Sequence, residues 1–248
     1  MKKQNVLFVL FLTSFLSLKA QTSEFNQRGL HIGVTYGFNS VWIINQNTYG
    51  SRELEYRPKF GSAYGAEIGY SFTRHLGIQI EGFYSNQGQK YSDQIKDSIL
   101  TRNVDLKYFY GSFMLKYMGG KAKTQFYFMI GPQYGIKNFS AIQYNDKDFS
   151  PQNININLES VNNTDFFEKY DLRLASAIGA DIKLSDIFYL STGLRFYYGL
   201  RDINSAPYRI APNEFKPYDK STNAFGGINV GFHYMISRHI AAKNPKFN

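Results

Sequence analysis

Along most of the chain, bulky apolar residues take every second position for about ten residues at a stretch, with small or polar residues between them. Extended backbone points successive side chains to opposite sides, so each stretch is a strand with one apolar and one polar face. In the first, 29–39, Leu30, Ile32, Val34, Tyr36 and Phe38 alternate with Gly29, His31, Gly33, Thr35, Gly37 and Asn39. The pattern returns at 60–72, 76–85, 125–137, 171–184, 188–201 and 227–236. A further segment at 102–118 has aromatics on both parities (Tyr108 and Tyr110 against Phe109 and Phe113), so its inward face stays open. Eight strands in all are expected.

The connections alternate in length. Tight turns are expected around Arg74, at 119–123 and at Ser185 and Asp186, and long polar loops at 40–59, 88–101, 140–168 and 202–220. Five prolines fall in those loops: Pro58, Pro151, Pro207, Pro212 and Pro217. Short turns on one rim and long loops on the other describe an all-β, eight-stranded antiparallel up-and-down transmembrane β-barrel. A soluble lipocalin-like barrel also alternates, with its apolar face inside. Three features favour the membrane form. The polar parity is rich in glycine with few charges, the apolar parity is almost uncharged over a membrane-crossing length, and Tyr and Phe gather near the strand ends. Only a closed sheet can cross lipid in this way without orphan backbone groups. Pro132 lies inside the fifth strand, where a bulge or a rim position is expected.

Residues 1–20 read as a secretory signal, with Lys2 and Lys3 before an apolar stretch and Ala20 before a cut that leaves Gln21 first. The apolar stretch is shorter than the ~20 residues of a membrane helix. The expected division is signal 1–20, outer-membrane barrel 21–236 and periplasmic tail 237–248. The formal charge of +9 falls to +6 without Lys2, Lys3 and Lys19, since 25 basic residues then face 19 acidic ones. That excess suits loops and a tail near anionic lipid, and no basic stripe points to nucleic acid. Zero cysteines exclude disulfides, thiolate metal sites, cysteine nucleophiles and a lipoprotein anchor.

An eight-stranded barrel leaves a lumen that side chains fill. The charges assigned to it are Glu67, Glu81, Lys107, Lys137, Asp171, Arg173, Asp181, Lys183, Arg195 and Arg201. Unpaired buried charge is costly, so a salt-bridged plug is expected. A gated ion path along the same charges and a ligand site at the loop mouth are the alternatives. Catalytic residues, cofactor and metal are all assigned as none. His31, His75, His233 and His239 all fall toward the short-turn end, and are read as interfacial or tail histidines away from surface chemistry. The run Asn145, Asp146, Lys147, Asp148 lacks the glycine and closing glutamate of a calcium loop. Asn153, Asn155 and Asn157 alternate with Ile154, Ile156 and Leu158, which suits a hairpin arm beyond the membrane, or an edge for a partner strand. Residues 231–236 look like the terminal-strand signal read by the outer-membrane insertion machinery.

The chain resembles the PorT-like outer-membrane β-barrel proteins of Bacteroidetes-type bacteria. The likeness is carried by 76–90 with its Glu81, Tyr84-Ser85 and Gln87-Gly88-Gln89-Lys90, by Leu115-Lys116-Tyr117 with Gly131-Pro132, by 194–203 and by 227–232. Gly111-Ser112 departs from the family's usual Ile-Pro. The resemblance implies an outer-membrane barrel, in most members of unknown role. The member that names the family is required for type IX secretion. It supplies no catalytic residues. Expected partners are outer-membrane lipid and the insertion machinery, with a periplasmic or surface protein left open and a monomeric state.

Overall fold

The computed structural model describes residue 25 and residues 27–45, 54–95, 98–120, 123–144, 166–209 and 217–236. The strands are β1 (Gly29–Ile44), β2 (Glu55–Arg57), β3 (Phe60–Ser71), β4 (Leu76–Ile95), β5 (Ser98–Gly119), β6 (Thr124–Tyr144), β7 (Tyr170–Lys183), β8 (Phe188–Gly199) and β9 (Thr222–Met235). Every pairing is antiparallel, and the sheet closes on itself. β1 pairs with β3 on one side and with β9 on the other, from His31 opposite Met235 to Ile44 opposite Thr222. β4 joins β3 to β5, which completes an eight-stranded ring. The ninth strand, β2, lies outside the ring and pairs only with β4. Closure satisfies the backbone of every ring strand and removes the open edges.

The period of two sets the faces. On β1, Ile32, Val34, Tyr36 and Phe38 are exposed on the outer wall, while His31, Thr35 and Asn39 are buried inside. The same inversion runs round the ring, with Phe113, Leu115 and Tyr117 outside β5 and Ser112, Met114, Lys116 and Met118 inside it. This settles the segment with aromatics on both parities: its even positions face inward. Two tight turns share one chemistry. Thr73 Oγ1 accepts from the N–H groups of His75 and Leu76, and Ser185 Oγ accepts from those of Ile187 and Phe188. Hydroxyl side chains that bind backbone two or three residues on favour a turn over continued strand.

Three expectations are corrected. The expected long loop 88–101 is mostly strand, since β4 and β5 stay paired out to Ile95 opposite Ser98. The loop 40–59 contributes β2, whose Tyr56 pairs with Tyr91. Pro132 sits in the middle of β6, and bridging to β5 lapses beside it but resumes in the same register at Leu115 opposite Ile130. The bulge lies further along, where Lys107 and Tyr108 face Phe139 and Lys137 and leave Asn138 as the extra residue.

β4 and β5 have 20 and 22 residues, about twice the 9–11 a tilted strand needs to cross a membrane. Their excess, with β2 and the end of β6, forms a sheet rising beyond the long-loop end of the barrel. It has its own apolar core, in which Leu54, Tyr91, Leu100, Val104 and Leu106 pack with Phe166, Phe167 and Ile203 from the loops. Lys59 staples this sheet, donating to Asn103 Oδ1 at 2.8 Å, the Val104 carbonyl at 2.5 Å and Asp105 Oδ1 at 2.6 Å. Burial pulls its pKa below the ordinary lysine value, against the pull of Asp105. It crosses β4 at Gly88, whose φ of +126° suits glycine and where a Cβ would meet the Val104 carbonyl at 1.9 Å.

Candidate functional site

The site with the most chemistry is the lumen. Side chains from all eight ring strands fill it in tiers. Nearest the short turns, Lys116 Nζ lies 2.7 Å from Asp181 Oδ2, with neither side chain more than 3% exposed. Asp181 also accepts from Gln27 Nε2 at 2.8 Å and from Ser191 Oγ at 2.5 Å. Ser191 Oγ lies 2.8 Å from His233 Nε2, and His233 Nδ1 lies 3.0 Å from Glu67 Oε1. A polar chain thus runs from Lys116 through Asp181, Ser191 and His233 to Glu67. One tier higher, Arg195 pairs with Glu81, which also accepts from Gln79 Nε2 at 2.7 Å. Higher still, Arg173 is sandwiched by aromatics, its guanidinium 3.5 Å from the Tyr110 ring centre and 4.5 Å from that of Phe225. It donates to Gln87 at 3.1 Å and to Gln133. Asp171 Oδ2 accepts from Tyr110 and Asn223, each at 3.0 Å.

Both ends are covered. At the short-turn end, Phe25 and Gln27 are buried across the opening. Gln125 Nε2 donates to the Phe25 carbonyl at 2.9 Å, and the Phe25 and Tyr189 rings lie 5.6 Å apart. At the other end, the apolar core of the raised sheet sits over Tyr108 and Tyr110.

Of the ten charges assigned to the lumen, Glu67, Glu81, Asp171, Arg173, Asp181 and Arg195 are buried there. The other four are placed differently. Lys137 is half-buried at the loop rim, donating to the Phe167 carbonyl. Lys183 sits at the short-turn rim, 2.8 Å from Asp186. Arg201 lies past the end of β8, exposed and 4.0 Å from Glu168. Lys107 is on the outer wall, its ammonium 4.9 Å from the Phe139 ring centre, because odd positions of β5 face outward. The lysine of β5 that does enter the lumen is Lys116. The outward run Phe113, Leu115, Tyr117 carries the signal that would have found it.

Two histidines also depart from expectation. His31 and His233 are lumen residues, each 1% exposed, with ring centres 6.0 Å apart. Tyr189 stacks on His233 at 4.2 Å. Each imidazole lies over a glycine of the next strand. A Cβ on Gly69 would come within 2.2 Å of His31, and one on Gly33 within 2.5 Å of His233. Their parity with Gly29, Gly33 and Thr35 was visible in the sequence. His75 stays in its turn, with Nδ1 2.9 Å from the Met118 carbonyl. His239, the cut at Ala20 and Gln21, the tail and the segments 145–148 and 153–158 lie outside the described residues.

Ser191, His233 and Glu67 have the spacing of a nucleophile, a base and its orienting acid. The 2.5 Å contact of Ser191 is with Asp181, Tyr189 covers the His233 ring, and Phe25 and Gln27 close the route from the rim. What the array does chemically is neutralise buried charge.

A closed ring with an apolar outer wall and a polar, filled interior is the architecture of an outer-membrane barrel. The family model for the outer membrane protein beta-barrel domain matches residues 19–205. The chain belongs to this family. It is therefore an outer-membrane β-barrel protein. Among solved structures, this barrel is similar to Neisserial surface protein A (NspA), at 10% identity and a TM-score of 0.47, covering 86% of this chain and 98% of that one. It is also similar to the N-terminal β-barrel domain of Pseudomonas aeruginosa OprF, at 13% identity and a TM-score of 0.41, covering 83% and 98%. OprG from Pseudomonas aeruginosa gives 15% identity and a TM-score of 0.40, covering 85% and 98%. No curated protein sequence matches the chain.

Proposed function

We propose that this outer-membrane barrel is a non-conducting, non-enzymatic interaction platform, which holds a rigid sheet above the outer leaflet for a surface partner. The observation that carries the reading is the combination of a filled lumen, covered at both ends, with a raised sheet that has its own apolar core. A conduit has no use for that core, whereas a platform needs it to keep its loops in one shape. The barrel acts as a monomer, is inserted through its last strand, and meets outer-membrane lipid with its apolar wall. Reconstitution in planar bilayers tests the lumen half of the proposal. The expected record has no steady conductance, and stable nanosiemens openings would overturn the filled lumen in favour of the small gated channel. Deleting 88–100 tests the platform half: insertion is expected to survive while surface binding is lost.

The PorT-like resemblance supports a second reading, an accessory to type IX secretion engaged from the periplasmic rim. The buried Phe25 and Gln27 at that rim support it, because they fix the segment that a periplasmic partner would meet. In a deletion strain this reading expects cargo trapped in the periplasm, and an unchanged secretome removes it.

A further inference from the structure

Lys107 stands on the outer wall, where it takes no part in the charge pairing of the lumen. Phe109, Ile136 and Tyr170 form the last apolar row of β5, β6 and β7, in register across the three strands. Lys107 is the next outward position on β5, with its ammonium against Phe139. Lys169 precedes Tyr170, and its ammonium lies 5.5 Å from the Tyr170 ring centre. The Tyr170 ring is stacked on Tyr134 of the outer wall, so Lys169 leans to the outside as well.

The carboxylates at this level are already engaged. Asp105 is 2.6 Å from Lys59, and Glu168 is 2.9 Å from Arg209. Lys107 and Lys169 make no ion pair among the described residues; each has an aromatic ring beneath it and no anion. One strand, β6, separates them, so two strand spacings place them about 10 Å apart. Lysine stems can lie on an apolar wall while their heads reach polar surroundings. Both ammonium groups therefore stand at headgroup depth, immediately above the apolar band, on the side that faces the outer leaflet.

We infer that Lys107 and Lys169 form a clamp for the phosphate of an outer-leaflet glycolipid, which lays its acyl chains down the wall below Phe109 and Tyr170. Charge complementarity at a fixed depth is what selects this ligand. Two cations without carboxylate partners, at the border where lipid phosphates lie, attract that phosphate and hold the barrel at one height. The Asn138 bulge lies between them and turns the wall locally, which separates the lysines across β6.

The test uses the full chain in neutral detergent, titrated with purified lipid A and with the same lipid after phosphatase treatment, and read by native mass spectrometry. Wild type is expected to prefer the phosphorylated lipid by about tenfold or more, since each lysine near an anionic surface adds on the order of a fivefold gain. K107Q/K169Q is expected to lose that preference, while K107R/K169R and the periplasmic-rim control K123Q keep it. Heat-modifiable gel mobility checks that each variant is folded. No phosphate preference in wild type, or a preference that survives K107Q/K169Q, overturns the inference. Release of the lipid by millimolar inorganic phosphate also overturns it, because the clamp would then be a free-anion site. None of these outcomes depends on whether the barrel conducts or carries a surface partner.

Discussion

Replacing Lys116 with methionine tests the filled lumen most directly. The side chains have similar length, so packing against Met114 and Met118 changes little while the charge disappears. Asp181 is then a fully buried carboxylate with, among the described residues, Gln27 and Ser191 left to donate to it. At 2.7 Å and an effective dielectric of about 20, the attraction lost is roughly 6 kcal/mol before relaxation. Removing one partner of a buried pair costs about 3–5 kcal/mol in practice. The ammonium also lies 4.9 Å from the Tyr127 ring centre, a smaller loss of about 0.5–2 kcal/mol. The expected destabilisation of Lys116→Met is therefore about 4 kcal/mol. Removing both charges in K116M/D181N is expected to bring the barrel back to within about 1 kcal/mol of wild type. Urea unfolding from lipid vesicles reads both values, with the single tryptophan, Trp42, on the outer wall as the reporter of insertion. A loss under about 1 kcal/mol for the single variant, or a double variant as weak as the single, would refute the buried-pair reasoning.

Three further outcomes follow from particular contacts. Gly69→Ala drives a methyl into His31, so it is expected to cost about 1–3 kcal/mol, and adding His31→Ala should recover most of that in the same urea assay. Phe166 is buried and stacks on Tyr208 at 4.1 Å, so Phe166→Ala is expected to weaken the loop cap by about 3–5 kcal/mol. Whole-cell proteolysis should then cut the loops while the barrel keeps its folded gel mobility; unchanged loop protection would count against the cap. Tyr218 donates to Asp202 at 2.6 Å, and burial together with that bond pushes its pKa above the ordinary tyrosine value. A group with a raised folded pKa stabilises fully below the unfolded value and loses that contribution as pH climbs through the folded one. Protection against hydrogen exchange at 217–221, taken relative to the intrinsic base-catalysed rate, should fall above about pH 10, and Tyr218→Phe should remove that fall.

The ring was legible because a period of two leaves little choice of face. Seven segments had one clean apolar parity, and each of those parities forms the outer wall. The eighth was ambiguous for a physical reason. Tyr108 and Tyr110 are inward, where they close the mouth and Tyr110 bonds to Asp171, and sequence alone does not separate an inward tyrosine from a girdle tyrosine. That ambiguity misplaced Lys107 and hid Lys116. The length of β4 and β5 was hidden for a related reason. Gln89 and Ser92 fall in the expected loop 88–101, yet they pair in register with Val104 and Thr101, and Gln89 is buried with its amide bonded to the Arg57 carbonyl at 2.8 Å. Above a membrane a strand no longer needs an apolar outward face, so the alternation fades while the pairing continues. The histidines were misread because their depth along the strand was weighed more heavily than their parity.

The charge count of the lumen singles out one further pair. Within the barrel, the described residues place Glu67, Glu81, Asp171 and Asp181 opposite three permanent cations, Lys116, Arg173 and Arg195. Asp181 takes Lys116, Glu81 takes Arg195, and Asp171 shares its tier with Arg173 two residues along β7. Glu67 is left with His233, at 3.0 Å. Glu67 is thus the carboxylate without a permanent cation of its own, and the two side chains are unequal under substitution. Glu67→Gln removes the surplus carboxylate and leaves the imidazole still in contact with Ser191, so it is expected to cost under about 1.5 kcal/mol. His233→Gln leaves Glu67 buried without the imidazole that lies 3.0 Å from it and is expected to cost about 3–5 kcal/mol. The glycine beneath His233 adds a packing loss in that variant, so His233→Phe, which keeps a ring over Gly33, is the control and is expected to be as damaging as the glutamine. Urea midpoints that rank Glu67→Gln as the more harmful change would mean that the permanent cations of the lumen hold Glu67 without need of His233.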